Sequence, residues 1–424
     1  MKLHFNKNMG NTIALFLLVF LLFYGYESPL ANGNRIDDGG NYKFIVDIIT
    51  TIYFIWLICI FFRKKIHINQ SFYVLIILVL SVLSSIIFNN DFTAGMILKI
   101  MTIISGYLTI QIFGVKKFCR VFTKFIKIFA VFSLITYVLG ICLFQIVEMF
   151  PTIDVKNSVG LVAKISNLGV SFITNSNQLR FRNYGLFREP GVYQAYLNVA
   201  LMFELFILNN SERSKNKTIF ILSTAILSTL STSGIVIWIL IMISYGFSLK
   251  LNNSLFLTKN KIMIIVLVLI MICLVLCVPQ IRNALLLKLT NGSVSSYSRF
   301  NSIFSNLNIF FNNPLFGVGM TKLDGMLQLY VSNIGIIKYM HNTNTLLTQF
   351  SSYGIIFGVT YLYSIWIFVK SICKGNGQFI LVLGACIILL FSENFDTTLL
   401  FGIVIFIGLE IKRMVTENEN IVDI

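Results

Sequence analysis

The sequence predicts an all-α, polytopic integral membrane protein with about twelve transmembrane helices, and three observations carry that prediction. The chain of 424 residues is 56% hydrophobic and only 12% charged, against about 25% charged residues in a soluble domain. Its mean hydropathy is +0.83. Its apolar residues fall in long continuous runs, without the period-two alternation that a transmembrane β-barrel requires.

A helix needs about 20 apolar residues to cross the hydrocarbon. Stretches of that character lie at 10–26, 44–62, 71–88, 94–114, 125–147, 191–209, 217–231, 233–249, 262–279, 345–369, 377–391 and 396–411. The seventh and eleventh are short, which leaves the count at eleven or twelve. Lys2 and Lys7 ahead of the first run resemble a signal peptide, but Ser28-Pro29-Leu30-Ala31 does not make a small-residue cleavage site, so this run is read as a retained span. With no internal repeat and no Pro/Gly-rich linker, residues 1–424 read as one membrane domain. Two gaps between spans are long, 148–190 and 280–345.

Basic residues mark the cytoplasmic side of short loops. With both termini cytoplasmic, the inside segments carry 20 Lys and Arg and the outside segments 12, Lys99 lying within a span. Ten of those 12 belong to the two long gaps, and the short outside loops around Asp91, Ser231 and Glu393 carry none. Both long gaps are therefore expected to be extracytoplasmic loops. The net charge of +16 is read as a topology signal facing anionic membrane lipid, not as nucleic-acid binding. The seven cysteines lie in spans or cytoplasmic loops, with no Cys/His spacing for a metal site.

Each long loop is expected to contain an amphipathic helix. From Ser298, Phe300, Ile303, Phe304, Leu307 and Phe311 recur at helical spacing with Asn301, Ser305, Asn308 and Asn312 on the other side, ending before Pro314. Such a helix lies on the membrane surface or caps the bundle. Residues 157–176 are expected to form a similar one. Phe316-Gly317-Val318-Gly319 reads as a turn, and Ser228 to Ser233 as a helix break.

The arginines are concentrated in these loops. Arg180, Arg182 and Arg188 stand with Glu189 just ahead of Pro190, and Arg282 and Arg299 lie in the second loop. A guanidinium binds phosphate or carboxylate through a planar fork, and a helix N-terminus favours the same anions. The competing reading is a juxtamembrane cluster attracting lipid headgroups, for which lysine would serve. His341, in His341-Asn342-Thr343-Asn344 ahead of a span, is a candidate proton acceptor, against the alternative of a plain polar anchor. Lys99 and Glu204 lie in apolar runs near span ends, where they are expected to reach the interface.

Arg182 to Pro190 (Arg-x-x-Gly-Leu-Phe-Arg-Glu-Pro), Arg299 with Asn313-Pro314-Leu315-Phe316-Gly317-Val318-Gly319, and His341-Asn342 with Gly354-Ile355-Ile356-Phe357-Gly358 together resemble the O-antigen polymerase and O-antigen ligase superfamily (Wzy type) over roughly residues 175–370. Polymerases of that family carry an Arg and a Gly separated by ten residues in each of two periplasmic loops. Arg180 to Gly191 has that spacing, whereas neither Arg282 nor Arg299 does. The resemblance implies a metal-independent, cofactor-free glycosyltransferase of the bacterial cytoplasmic membrane, which moves a growing O-antigen or capsule glycan from undecaprenyl diphosphate to a sugar hydroxyl at the outer face. Arg180, Arg182, Arg188 and Arg299 would hold the diphosphate. His341 would be the first candidate base and Glu189 the second. A flippase and a chain-length regulator protein would be its partners. A ligase transferring finished glycan, and a lipid-linked oligosaccharide flippase, remain the alternatives.

The orientation has a direct test. Reporter fusions at Asn210 and Asn342 are expected to report opposite sides of the membrane, and matching signals would overturn the topology.

Overall fold

The computed structural model describes residues 7–31, 41–62, 69–156, 162–174, 181–250, 294–333 and 342–422. These contain fourteen α-helices: α1 (Lys7–Tyr24), α2 (Asn41–Phe61), α3 (Gln70–Asn89), α4 (Ala94–Phe113), α5 (Val115–Cys142), α6 (Phe144–Val147), α7 (Pro190–Phe206), α8 (Glu212–Ser228), α9 (Thr232–Lys250), α10 (Val294–Asn312), α11 (Met320–Asn333), α12 (Thr345–Ile372), α13 (Asn376–Ser392) and α14 (Leu399–Val422). Helices α2, α3, α4, α5 and α12 are long and apolar enough to cross a membrane, and α1, α9 and α13 contain shorter apolar helices. Eleven of the twelve expected stretches fall on helices; the one at 262–279 lies outside the described residues.

The long apolar helices bury one face and carry apolar residues on the other as well, as helices facing both protein and lipid do. On α2, Val46, Thr50, Tyr53 and Leu57 recur every three or four residues on the buried face, while Ile48, Ile52 and Ile55 face outward. Asn69 opens α3 by accepting a hydrogen bond from Phe72 N, and Asn90, left-handed at φ 50°, closes it. Helix α14 packs against α4 and α12, α3 packs on α12, and α9 lies along α13.

The first long loop departs from expectation. Instead of an amphipathic helix over 157–176, it contains a three-stranded antiparallel sheet, β1 (Thr152–Lys156), β2 (Val162–Asn167) and β3 (Phe172–Thr174), in the order β1-β2-β3. The physical reason is local periodicity: Thr152-Ile153-Asp154-Val155-Lys156 alternates polar and apolar, burying Ile153 and Val155, and β-branched residues at period two favour a strand over a helix. The described chain is therefore mainly helical with one small antiparallel sheet.

The second long loop holds the expected helix, α10, which begins four residues before Ser298. Its buried face is polar: Ser302, Ser305 and Asn306 are fully buried, whereas Phe300 and Phe304 are 62% and 50% exposed. Ser302 Oγ and Asn306 Nδ2 donate to Asn342 Oδ1 at 3.0 and 3.3 Å. Ser351 Oγ of α12 donates to Asn306 Oδ1 at 2.7 Å. In an apolar surrounding the polar side turns inward to find its partners.

After α10 the chain enters a break in α12. Gly354 has φ 83° and ψ −177° inside the helix, a conformation essentially restricted to glycine. The freed backbone groups are taken by the Pro314 to Gly319 turn. Ile355 N donates to Pro314 O at 2.8 Å, Val318 N to Ser351 O at 2.9 Å and Gly319 N to Ser352 O at 3.0 Å. A Cβ on Gly354 would lie 2.1 Å from Leu315 O.

Gly354→Ala is expected to lower the thermal midpoint of the detergent-purified protein, with backbone strain alone costing about 1–3 kcal/mol. Gly375→Ala, with φ −158° and nothing within 4 Å of the added methyl, should leave it unchanged. Equal midpoints for the two variants would contradict this account of the junction.

Candidate functional site

The segment 181–189 reaches the site already immobilised. Leu186 and Phe187 are fully buried, Asn183 N donates to Ser228 O at 3.0 Å, and Arg188 N donates to Glu27 O at 2.8 Å. Tyr137 Oη donates to Phe181 O at 2.9 Å. Glu189 is extended at the N-cap of α7, and Pro190 takes the helix's first turn, where its fixed φ suits the start of a helix. The guanidiniums of Arg182 and Arg188 are thus carried on a rigid strap at the positive end of α7.

The three described arginines of the site, Arg182, Arg188 and Arg299, differ in how much of their charge the protein answers. Arg188 Nε donates to Glu27 Oε2 at 2.8 Å, and its Nη1 lies 3.9 Å from Glu189 Oε1. Burial opposes this cation, yet Glu27, Glu189 and Glu393 together outweigh it and raise its pKa. Arg182 is the reverse: its hydrogen bond runs from Nε to Thr229 O at 3.2 Å, and it forms no ion pair among the described residues. Burial lowers its pKa, Tyr184 and Glu189 act the other way, and Arg299 lowers it again. Arg299 approaches Glu393 at 3.4 Å through Nη2, and its buried Nε has no hydrogen-bond partner among the described residues. A charge-assisted N–H···O bond is normally about 2.7–2.9 Å, so this pair is loose.

Glu393, in the turn between α13 and α14, completes the cluster. Its side chain is 4% exposed, and its carbonyl is held by Thr345, whose N donates at 3.2 Å and Oγ1 at 2.6 Å. Burial first, then Glu189, raise its pKa; Arg299 and Arg188 pull it down, and the balance is about 8. The carboxyl lies against the first turn of α7, where a Cβ on Gly191 would be 2.0 Å from Glu393 Oε1. Only a residue without a side chain allows that approach.

Arg182, Arg188, Glu189 and Arg299, four of the six residues singled out from the sequence, are therefore brought together. The other two, Arg180 and His341, lie outside the described residues, as does Arg282. Asn342, next to His341, is buried in the contact between α10 and α12. Glu27 and Glu393 were not singled out. Their only sequence signal is an acid in a polar gap between apolar runs, with nothing in either gap to show which basic residue it pairs with.

Beside the cluster is a cavity of about 500 Å³ lined by polar groups including Glu27, Asp47, Lys99, Arg188, Asp324, Asn342 and Asn394. Lys99, expected to extend to the interface, is instead buried at its wall. Its Nζ pairs with Asp396 and donates to Asp396 O at 2.7 Å, while Tyr353 Oη donates to Asp396 Oδ2 at 2.9 Å. Asp396, in the turn between α13 and α14, offers the lysine a buried anionic partner, which is why it turns inward. Glu204, also near a span end, accepts two bonds from Asn210 Nδ2 at 2.9 Å.

Comparison of the chain with family models finds no match, and comparison with curated protein sequences finds none.

Arg182→Lys and Arg299→Lys keep the charge but lose the planar fork. Each is expected to weaken function about 10- to 100-fold at unchanged protein level, corresponding to about 1.5–3 kcal/mol per charge-assisted bond. Full function in both would mean that the cluster attracts headgroups through charge alone.

Proposed function

We propose that this protein polymerises lipid-linked oligosaccharide repeat units, carried on undecaprenyl diphosphate, into O-antigen or capsular polysaccharide at the outer face of the bacterial cytoplasmic membrane. The observation that carries the reading is the surplus of guanidinium donors at one place. Arg182 has no ion pair among the described residues and Arg299 keeps an unpartnered buried Nε, beside a third arginine and the N-terminus of α7. Buried cationic donors that no anion fully answers are costly, and a diphosphate offers oxygens enough for both. The sequence resemblance to Wzy-type polymerases and ligases supports the same substrate class.

In this reading the acceptor hydroxyl oxygen attacks the anomeric carbon of the donor glycan. The bond from that carbon to the diphosphate oxygen breaks, and undecaprenyl diphosphate leaves with the bonding pair. Arg182, Arg188 and Arg299 stabilise the charge that develops on the leaving group, as preorganised donors do in a site shielded from water. The hydroxyl proton passes to a base, for which His341 is the first candidate and Glu189 the second. Glu189 is about half exposed, open to a proton acceptor's exchange with solvent. The polar cavity beside Arg188, with its Asp, Asn and Lys side chains, suits the hydroxyl-rich acceptor sugar.

A transporter would place its charges along a path across the bilayer. Lys99 is the sixth residue of α4, and its partner Asp396 lies in the same turn as Glu393, so the pair stands beside the arginine cluster and supports the reading of one polar site over a separate path.

Purified protein given a lipid-diphosphate-linked oligosaccharide is expected to yield a ladder of products on a gel. One product on a different acceptor would make it a ligase, and no product would favour transport. A deletion strain should still display single-unit glycan in place of long chains. Absence of even the single unit, with flippase and acceptor ligase intact, would overturn the polymerase reading.

A further inference from the structure

We propose that Glu393, when ionised, is the internal counter-ion of Arg299, and that an arriving phosphodiester or diphosphate takes over Arg299 and leaves Glu393 protonated, so that wherever the carboxylate is ionised beforehand, anion binding and protonation of Glu393 are one event. The inference rests on the arginine cluster being an anion site, but it assigns to that site a proton linkage which the proposed reaction does not require.

The geometry comes first. Glu393 is the only carboxylate paired with Arg299 among the described residues, and it is paired loosely, at 3.4 Å with the neighbouring Nε unpartnered. Its backbone is fixed by Thr345, and its side chain, 4% exposed, packs against the first turn of α7 at Gly191, so an anion that takes over Arg299 leaves a buried carboxyl without its cation. Arg188 is different: its link to Glu27 uses both backbone and side chain at 2.8 Å, and that pair is built to persist. The exchangeable anion is therefore Glu393.

The charged groups facing Glu393 come from three neighbouring elements. The strap ahead of α7 supplies Arg182, Arg188 and Glu189, the turn after α1 supplies Glu27, and α10 supplies Arg299. Burial and the two glutamates already hold the carboxyl near neutrality, with its pKa at about 8. Binding a dianion removes the favourable Arg299 contact and adds like charge alongside. Both changes favour the protonated form. The sign follows from linkage: below about pH 8 the carboxyl already carries its proton and affinity is flat; above it, each binding event must take up one proton and affinity falls as pH rises.

The test uses the intact protein in detergent and geranyl diphosphate esterified to N-acetylglucosamine, a diphosphate diester whose charges do not titrate between about pH 7 and about pH 9.5. The dissociation constant of the wild type is expected to rise about tenfold per pH unit above about pH 8, and that of Glu393→Gln to stay flat. Glu189→Gln should keep a slope of the same size, with its onset moved to lower pH because one of the charges that raises the carboxyl is gone. Should Glu393→Gln fail to fold, titration calorimetry of the wild type in two buffers of different ionisation heat, near pH 8.5, should show uptake of a substantial fraction of one proton. Wild-type binding with no pH slope and no proton uptake overturns the linkage while leaving the anion site standing; so does a slope that survives Glu393→Gln or disappears in Glu189→Gln. No wild-type binding at any pH overturns the anion site itself, and the linkage with it.

Discussion

The junction between the Pro314 to Gly319 turn and the broken helix α12 is the constraint on which the site depends. Breaking a helix within a membrane protein frees donors and acceptors that lipid cannot satisfy, and here three backbone bonds from the turn answer them. Because the turn directly follows α10, this junction also fixes where α10 lies. The polar contacts of Ser302 and Asn306 with Asn342 and Ser351 then set its rotation. Arg299, one turn before Ser302 on the same helix, is brought to Glu393 as a result.

The site is an assembly of three separately anchored pieces: a strap before α7, the start of α10 and the turn before α14. None of the three builds an anion site alone. Their convergence produces an uneven distribution of charge, in which Arg188 is tightly answered, Arg299 loosely, and Arg182 hydrogen-bonds a carbonyl and forms no ion pair among the described residues. Such unevenness is costly in a folded protein and is the expected signature of a place where an external anion completes the balance.

The polar interior of this end contrasts with the apolar surface around it. Lys99, Asp396, Gln349 and Tyr353 form a closed set of bonds next to the cavity, and Asp91 caps the start of α11 by accepting from Thr321 N at 3.2 Å. Phe300, Phe304 and Phe311 face outward. With lipid as the solvent, burial of polar side chains organises the fold as burial of apolar ones does in water.

The sequence by itself determined the membrane character, the position of eleven helical stretches, the α10 helix, the turn at 316–319 and the break at 228–233, because each rests on local composition, periodicity or turn chemistry. It also singled out which arginines are unusual, since they cluster in the two longest gaps between apolar runs. The small sheet was legible in principle from the alternation at 152–156, but the surrounding helical context masked a five-residue signal. Tertiary structure alone decided which face of α10 turns inward, that Lys99 meets Asp396, and that Glu27 and Glu393 join the arginines across 161 and 94 residues of chain. Those pairings depend on how helices distant in sequence stack, and the carboxylates in question sit in short turns whose residues carry no periodicity to read.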